Sequence, residues 1–140
     1  MSMETTTALL LIAHGSRRAE ANAELVAIAD TLRDRGDWRH IQPSYLELAE
    51  PNIAKGGELC VNAGANAVVM LPYFLSPGRH MVEDLTAARD ELAGRFPQVG
   101  FTLAAALGSH PLILDALVDR AREVTPSREV LARSEPSPRA

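Results

Sequence analysis

The sequence predicts an α/β fold, a three-layer αβα sandwich built on a four-stranded parallel sheet. Three observations predict it. Short apolar runs, led by Ala8 to Ala13 and Ala67 to Leu71, have the length and character of strands buried on both faces. Each strand-like segment is followed by a stretch with apolar residues at helical spacing, which gives the order βαβαβαβα. The connections are short, and that combination calls for helices on the faces of a parallel sheet with right-handed crossovers.

The first strand, Ala8 to Ala13, is closed by His14-Gly15-Ser16. Ser16 is placed to cap a helix from Arg17 to Arg35, where Ala21, Leu25, Ile28, Ala29 and Leu32 share a face and Gly36 ends the run. Trp38 to Glu47 contains Pro43, which cannot donate to a ladder, so this second strand belongs on a sheet edge. Pro51 is expected at the first position of the next helix, where a missing N–H costs nothing; Ile53, Leu59, Cys60 and Ala63 form its apolar face and Gly64 its end. The internal pair Gly56-Gly57 weakens that helix. Ala65 to Leu71 is the third strand, followed by a Pro-rich loop from Pro72 to His80. Met81 to Phe96 reads as a helix with Val82, Leu85, Ala88 and Leu92 inward, and its early acids Glu83 and Asp84 suit the positive end of the macrodipole. Val99 to Ala105 is the fourth strand and Pro111 to Val124 the last helix. Residues 1–124 are expected to form a single domain, and 125–140, rich in Pro, Ser, Arg and Glu, a disordered tail.

Composition removes several classes of function. Across 140 residues, 14 Lys and Arg against 18 Asp and Glu give a net charge of −4, which argues against binding nucleic acid through its phosphates. No apolar stretch approaches the roughly 20 residues of a membrane-spanning helix, and the polar N-terminal residues do not form a secretory signal, so a cytoplasmic protein without a membrane partner is expected. The single cysteine, Cys60, cannot build an iron–sulfur cluster or a thiolate zinc site, leaving His, Asp and Glu as the available metal ligands. The first strand is followed by His14-Gly15-Ser16-Arg17 in place of a Gly-x-Gly-x-x-Gly fingerprint, and no phosphate-loop motif is present, so no organic cofactor is expected.

Ligand sites of open α/β sheets lie beyond the carboxyl ends of the strands. His14 follows the first strand, Glu47 ends the second, and His80 closes the loop after the third, while His110 follows the fourth. Thirty-three residues separate His14 from Glu47 and again Glu47 from His80, one β-α repeat each time. Two imidazoles and a carboxylate on one rim suit a borderline divalent ion, and equally suit general acid–base chemistry. Ser16, the N–H groups opening the first helix, and Arg17, Arg18 and Arg79 offer an anion seat beside them. His110, next to Pro111, reads as a helix-cap residue, and His40 as an edge residue.

The segments from Leu10 to Arg17, Tyr45 to Ile53, Val68 to Asp84 and Leu107 to Leu112, which include Ala13-His14-Gly15-Ser16, Leu46-Glu47-Leu48, Pro72-Tyr73-Phe74-Leu75-Ser76-Pro77-Gly78-Arg79-His80 and Gly108-Ser109-His110-Pro111, together resemble the short-form class II chelatases of the CbiX or SirB type. The first and third are the specific ones. The resemblance implies a chelatase-like sheet of flavodoxin-like order 2-1-3-4. It implies insertion of a divalent metal substrate (Co²⁺, Fe²⁺ or Ni²⁺) into sirohydrochlorin, on the routes to cobalamin or sirohaem. It also implies that His14 and His80 bind the metal, with Glu47 as a catalytic acid–base partner. The substrate's carboxylates would meet Ser16, Arg17, Arg18 and Arg79. In long-form relatives two such units face each other in one chain, so a homodimer is expected here. The alternative is a non-catalytic carrier or sensor that holds a divalent metal with the same two histidines.

Overall fold

Strand β1, Thr7–Ala13, runs through the middle of the molecule because every residue from Ala8 to Ile12 has a buried place to go. In the computed structural model, which describes residues 4–108 and 110–126, the elements follow in the order α1 (Ala19–Asp34), β2 (His40–Tyr45), α2 (Ile53–Asn62), β3 (Ala67–Pro72), α3 (Arg79–Arg95), β4 (Gly100–Leu103) and α4 (Pro111–Val124). The four strands form one all-parallel sheet of order β2-β1-β3-β4. This is the order 2-1-3-4 that the sequence resemblance implied. β2 is an edge strand, as Pro43 required, and pairs with β1 in the register Leu11 to Pro43. Residues 127–140, most of the tail expected to be disordered, lie outside the described residues.

Side chains of β1 alternate between two cores. Leu9 and Leu11 meet Leu25 and Ala29 of α1, together with Ile41 and Tyr45 of β2. Ala8, Leu10 and Ile12 meet Ile53 and Cys60 of α2, Leu85 and Leu92 of α3, and Val68, Met70 and Phe101 of the sheet. One helix on one face and two on the other make the three layers, and the continuous apolar run of β1 is the sequence signature of that double burial.

The paired glycines of α2 serve the packing. A Cβ on Gly56 would lie 2.8 Å from Leu10 Cδ1 and 2.9 Å from Ser44 Cβ, and one on Gly57 would lie 2.6 Å from both Leu92 methyls. α2 therefore approaches β1, β2 and α3 more closely than any larger residue would allow, which offsets the glycines' low helix propensity. Burial pushes the Cys60 thiol up to about 11, so little thiolate forms at neutral pH and the residue is a packing group.

Most element boundaries differ from the sequence expectation by one or two residues, and three of the differences concern helix starts. α1 begins at Ala19, and Ser16 does not cap it: the Ser16 hydroxyl accepts from the Arg18 N–H (3.1 Å) in the turn before the helix. Pro51 does not occupy the first helical position of α2. The cap is Asn52, whose side chain accepts from the Lys55 N–H at 2.8 Å. α3 begins at Arg79, two residues early, so His80 belongs to a helix and not to the preceding loop. The chain divides after Leu107 into two compact units, the first holding β1–β4 and α1–α3 and the second holding α4. In the second, Pro111 opens α4 and His110 caps it, its Nδ1 accepting from the Leu112 N–H at 3.1 Å, the cap role read from the sequence. Among the described residues no helix is long and apolar enough to cross a membrane.

Candidate functional site

The strand order places a topological switch between β1 and β3: from β1 the chain moves outward to β2, then crosses back to β3 and on to β4. Loops leaving the carboxyl ends of β1 and β3 diverge there and leave a crevice. His14 is the first residue after β1, Glu47 stands two residues after β2, and His80 is the second residue of α3, which follows β3. All three line one cleft of ≈ 370 Å³, together with Leu46, Gly78, Met81 and Asp84.

The loops carrying His14 and Glu47 are sewn together by backbone hydrogen bonds. Leu46 N–H donates to Ala13 C=O at 3.0 Å, and Glu47 N–H to His14 C=O at 3.1 Å. Gly15, at φ +99°, lies so close to this ladder that an added Cβ would fall 1.7 Å from the Glu47 carbonyl oxygen. Only glycine combines that backbone angle with that approach. Leu48 also takes a positive φ of 65°, an uncommon angle for a non-glycine residue beside the Glu47 carboxylate. The joined loops bring His14 Nδ1 to 3.7 Å from Glu47 Oε1, both side chains being more than half exposed.

Behind the pair, Asn22 of α1 ties the loop to the sheet. Its side chain accepts from Ser16 N–H (3.0 Å) and donates to Ser16 C=O (2.7 Å), while its own carbonyl accepts from the Tyr45 hydroxyl at 2.7 Å. Burial raises the Tyr45 phenol above its ordinary value, which keeps that hydroxyl a donor.

His80 stands on the other wall, with its side chain 98% exposed and its Nδ1 3.9 Å from Glu83 Oε2. No group of three His, Cys, Asp or Glu side chains among the described residues is clustered closely enough to hold a metal ion. His14 and His80 nevertheless line the same cleft.

The proposed anion seat is placed differently. Ser16, Arg17, Arg18 and Arg79 do not line the cleft. The Ser16 hydroxyl is engaged by Arg18 N–H, Arg18 Nε lies 3.5 Å from Glu20, and Arg79 Nε lies 3.4 Å from Glu83. The sequence reading also missed a lining residue. Asp84 was assigned to helix-end electrostatics, yet with α3 starting at Arg79 it falls beyond the first turn, four residues from His80 and on the same face. That i, i+4 spacing was the available signal.

A family model described as CbiX matches residues 8–124. The chloroplastic sirohydrochlorin ferrochelatase of Arabidopsis thaliana is 37% identical over 112 residues, covering 80% of this chain and 50% of that protein. A sirohydrochlorin cobaltochelatase of Priestia megaterium is 32% identical over 118 residues, covering 82% of this chain and 37% of that protein. Among solved structures, SirB from Bacillus subtilis with Fe³⁺ superposes with a TM-score of 0.78 at 28% identity, covering 87% of this chain and 49% of that one. The chain spans half or less of the length of these relatives. With the family model covering the sheet and all four helices, the chain belongs to the CbiX family.

Proposed function

We propose that the protein inserts a divalent metal, Co²⁺, Fe²⁺ or Ni²⁺, into sirohydrochlorin, with His14 and His80 as the metal-binding pair and Glu47 as proton acceptor. The observation that carries this reading is the cleft at the β1/β3 switch point, which is lined both by His14, just after β1, and by His80, in the first turn of α3, with a carboxylate 3.7 Å from His14. The names of the relatives supply the substrate, and the match over residues 8–124 supports reading 1–124 as one chelatase-like domain.

In this mechanism the cation substrate is held by the two imidazoles and water while the macrocycle docks over the cleft. The metal then passes to the pyrrole nitrogens as two N–H protons leave. Glu47 takes a proton from the substrate side, and the neighbouring His14, released from the metal, takes the second. The carboxylates of the macrocycle meet Ser16, Arg17, Arg18 and Arg79, with Arg18 and Arg79 exchanging their present partners Glu20 and Glu83 for the substrate. No nucleic acid, membrane or organic cofactor enters this scheme, which is assigned to the cytoplasm.

One unit provides one wall: the His14 and His80 side chains are 54% and 98% exposed, leaving the tetrapyrrole's other face uncovered. Two copies related by a two-fold axis, cleft to cleft, complete the cavity. Sedimentation of the active protein is expected to show a dimer; a fully active monomer contradicts the paired cleft.

The reading is tested by following the visible spectrum of sirohydrochlorin mixed with each metal in turn, with and without protein. Acceleration of the metallated spectrum by the protein is the expected result. Metal binding with no effect on the spectrum assigns the same histidines to a carrier or sensor.

A further inference from the structure

His14 has two ring nitrogens, and its surroundings distinguish them. Nδ1 lies 3.5 Å from the Gly15 carbonyl oxygen and 3.7 Å from Glu47 Oε1. Both neighbours are acceptors, since a carbonyl and an ionised carboxylate have lone pairs and no proton to give. A neutral imidazole carries one proton, and the nitrogen that faces two acceptors is the one that holds it. Nε2 is then the nitrogen with the free lone pair.

The Gly15 carbonyl is itself held from behind. It shares one planar trans peptide unit with the Ser16 N–H, which points the opposite way, so whatever fixes the N–H also aims the carbonyl. That N–H donates to Asn22 Oδ1 at 3.0 Å, while Asn22 Nδ2 donates to the Ser16 carbonyl at 2.7 Å. A side-chain amide meets both needs because it offers an acceptor and a donor together. Asn22 is half-buried as the fourth residue of α1, and its own carbonyl accepts from the Tyr45 hydroxyl at 2.7 Å. Ser16 stands two residues after His14 and Tyr45 two residues before Glu47, so Asn22 fastens the chain on both sides of the pair. The contacts run from Asn22 through the Gly15–Ser16 peptide to His14 Nδ1, while Asn22 itself stays outside the lining of the cleft.

Resting on the metal-insertion reading above, we propose that Asn22 is a positioning residue for His14. It holds the Gly15–Ser16 peptide so that Nδ1–H is directed at the Gly15 carbonyl and Glu47, and the cation substrate is taken by Nε2. An imidazole whose second nitrogen donates to a carbonyl or carboxylate is a better-oriented and more basic ligand. Asn22 touches neither substrate, and its effect reaches the cation only through His14.

The test reads proton position and metal affinity separately, on the full chain. Nitrogen NMR of the metal-free wild type at about pH 8, above the ordinary imidazole range, is expected to find the His14 proton on Nδ1. A proton on Nε2 overturns the assignment, and this measurement needs no variant. Calorimetric titration with Co²⁺, without tetrapyrrole, then compares wild type with Asn22→Ala and with the isosteric Asn22→Asp, which sets an acceptor against the Ser16 carbonyl. Both variants are expected to bind Co²⁺ about tenfold more weakly. In a His14→Ala background the same two changes are expected to alter the affinity by no more than about twofold, because Asn22 acts through the missing imidazole. A loss that persists in that background is a general structural effect and overturns the positioning role, as does wild-type affinity in both variants. If the wild type binds Co²⁺ without metallating sirohydrochlorin, the metal-insertion reading fails while the NMR and the titrations still decide the role of Asn22. A wild type that binds no Co²⁺ overturns both.

Discussion

Replacing His14 by alanine is expected to lower the rate of metal insertion by about a hundredfold or more, equivalent to about 2.7 kcal/mol of lost transition-state stabilisation. The size follows from what His14 would do in the proposed mechanism: it supplies one of two imidazoles to the cation and stands 3.7 Å from the Glu47 carboxylate that accepts a proton. Its removal takes away a ligand and the partner that orients the base. Stability should hardly change, because the His14 side chain is 54% exposed and its replacement opens no core cavity, leaving the unfolding free energy within about 0.5 kcal/mol of wild type. Steady-state assays paired with a thermal melt check both halves. A His14→Ala protein that melts normally and metallates at the wild-type rate removes His14 from the site.

Gly15→Ala is expected to be the most disruptive single-methyl change near the cleft. At φ +99° an alanine is strained, and its Cβ would overlap the Glu47 carbonyl oxygen at 1.7 Å and crowd Tyr45 Cβ at 3.3 Å. The first obstruction is backbone, so no rotamer change relieves it. The two loops must separate, breaking the hydrogen bond from Glu47 N–H to His14 C=O. Left-handed strain and overpacking together are expected to cost about 3 kcal/mol, which lowers the melting temperature by roughly 10 °C in a chain of this size. Activity should fall even below the melt, since the movement pulls Glu47 from His14. A melt within about 2 °C of wild type with full activity would show that the loops are not joined as described.

The parts of the fold that the sequence made legible are those where burial acts through local pattern. β1 and β3 announce themselves because a central parallel strand is covered on both faces and needs apolar residues at successive positions. Pro43 located an edge because the missing donor is tolerated there. The boundaries were less legible where several residues compete for one role. Ser16 and Arg18 both precede α1, and the serine hydroxyl is taken by the turn; Pro51, expected at the first helical position, stands before Asn52, whose side chain caps α2. Gly56 and Gly57 looked like weak points in a helix, since the close approach to Leu10, Ser44 and Leu92 that requires them is a property of distant segments.

At the site, the convergence of His14, Glu47 and His80 on one cleft was readable, because each follows a strand of the same parallel sheet. The bond from Tyr45 to Asn22 that steadies the His14 loop was not, since it joins residues 23 apart through side chain and carbonyl. Asp84 was concealed by the two-residue error in the start of α3, which made a mid-helix carboxylate look like an ordinary helix-end acid.

The most direct test of the account is multiple turnover. Sirohydrochlorin and Co²⁺ are supplied in large excess over the protein, and the metallated product is counted by absorbance against a protein-free control. The account predicts many equivalents of product per protein chain, formed well ahead of the control. Product limited to one equivalent, or a rate equal to the control, would contradict it.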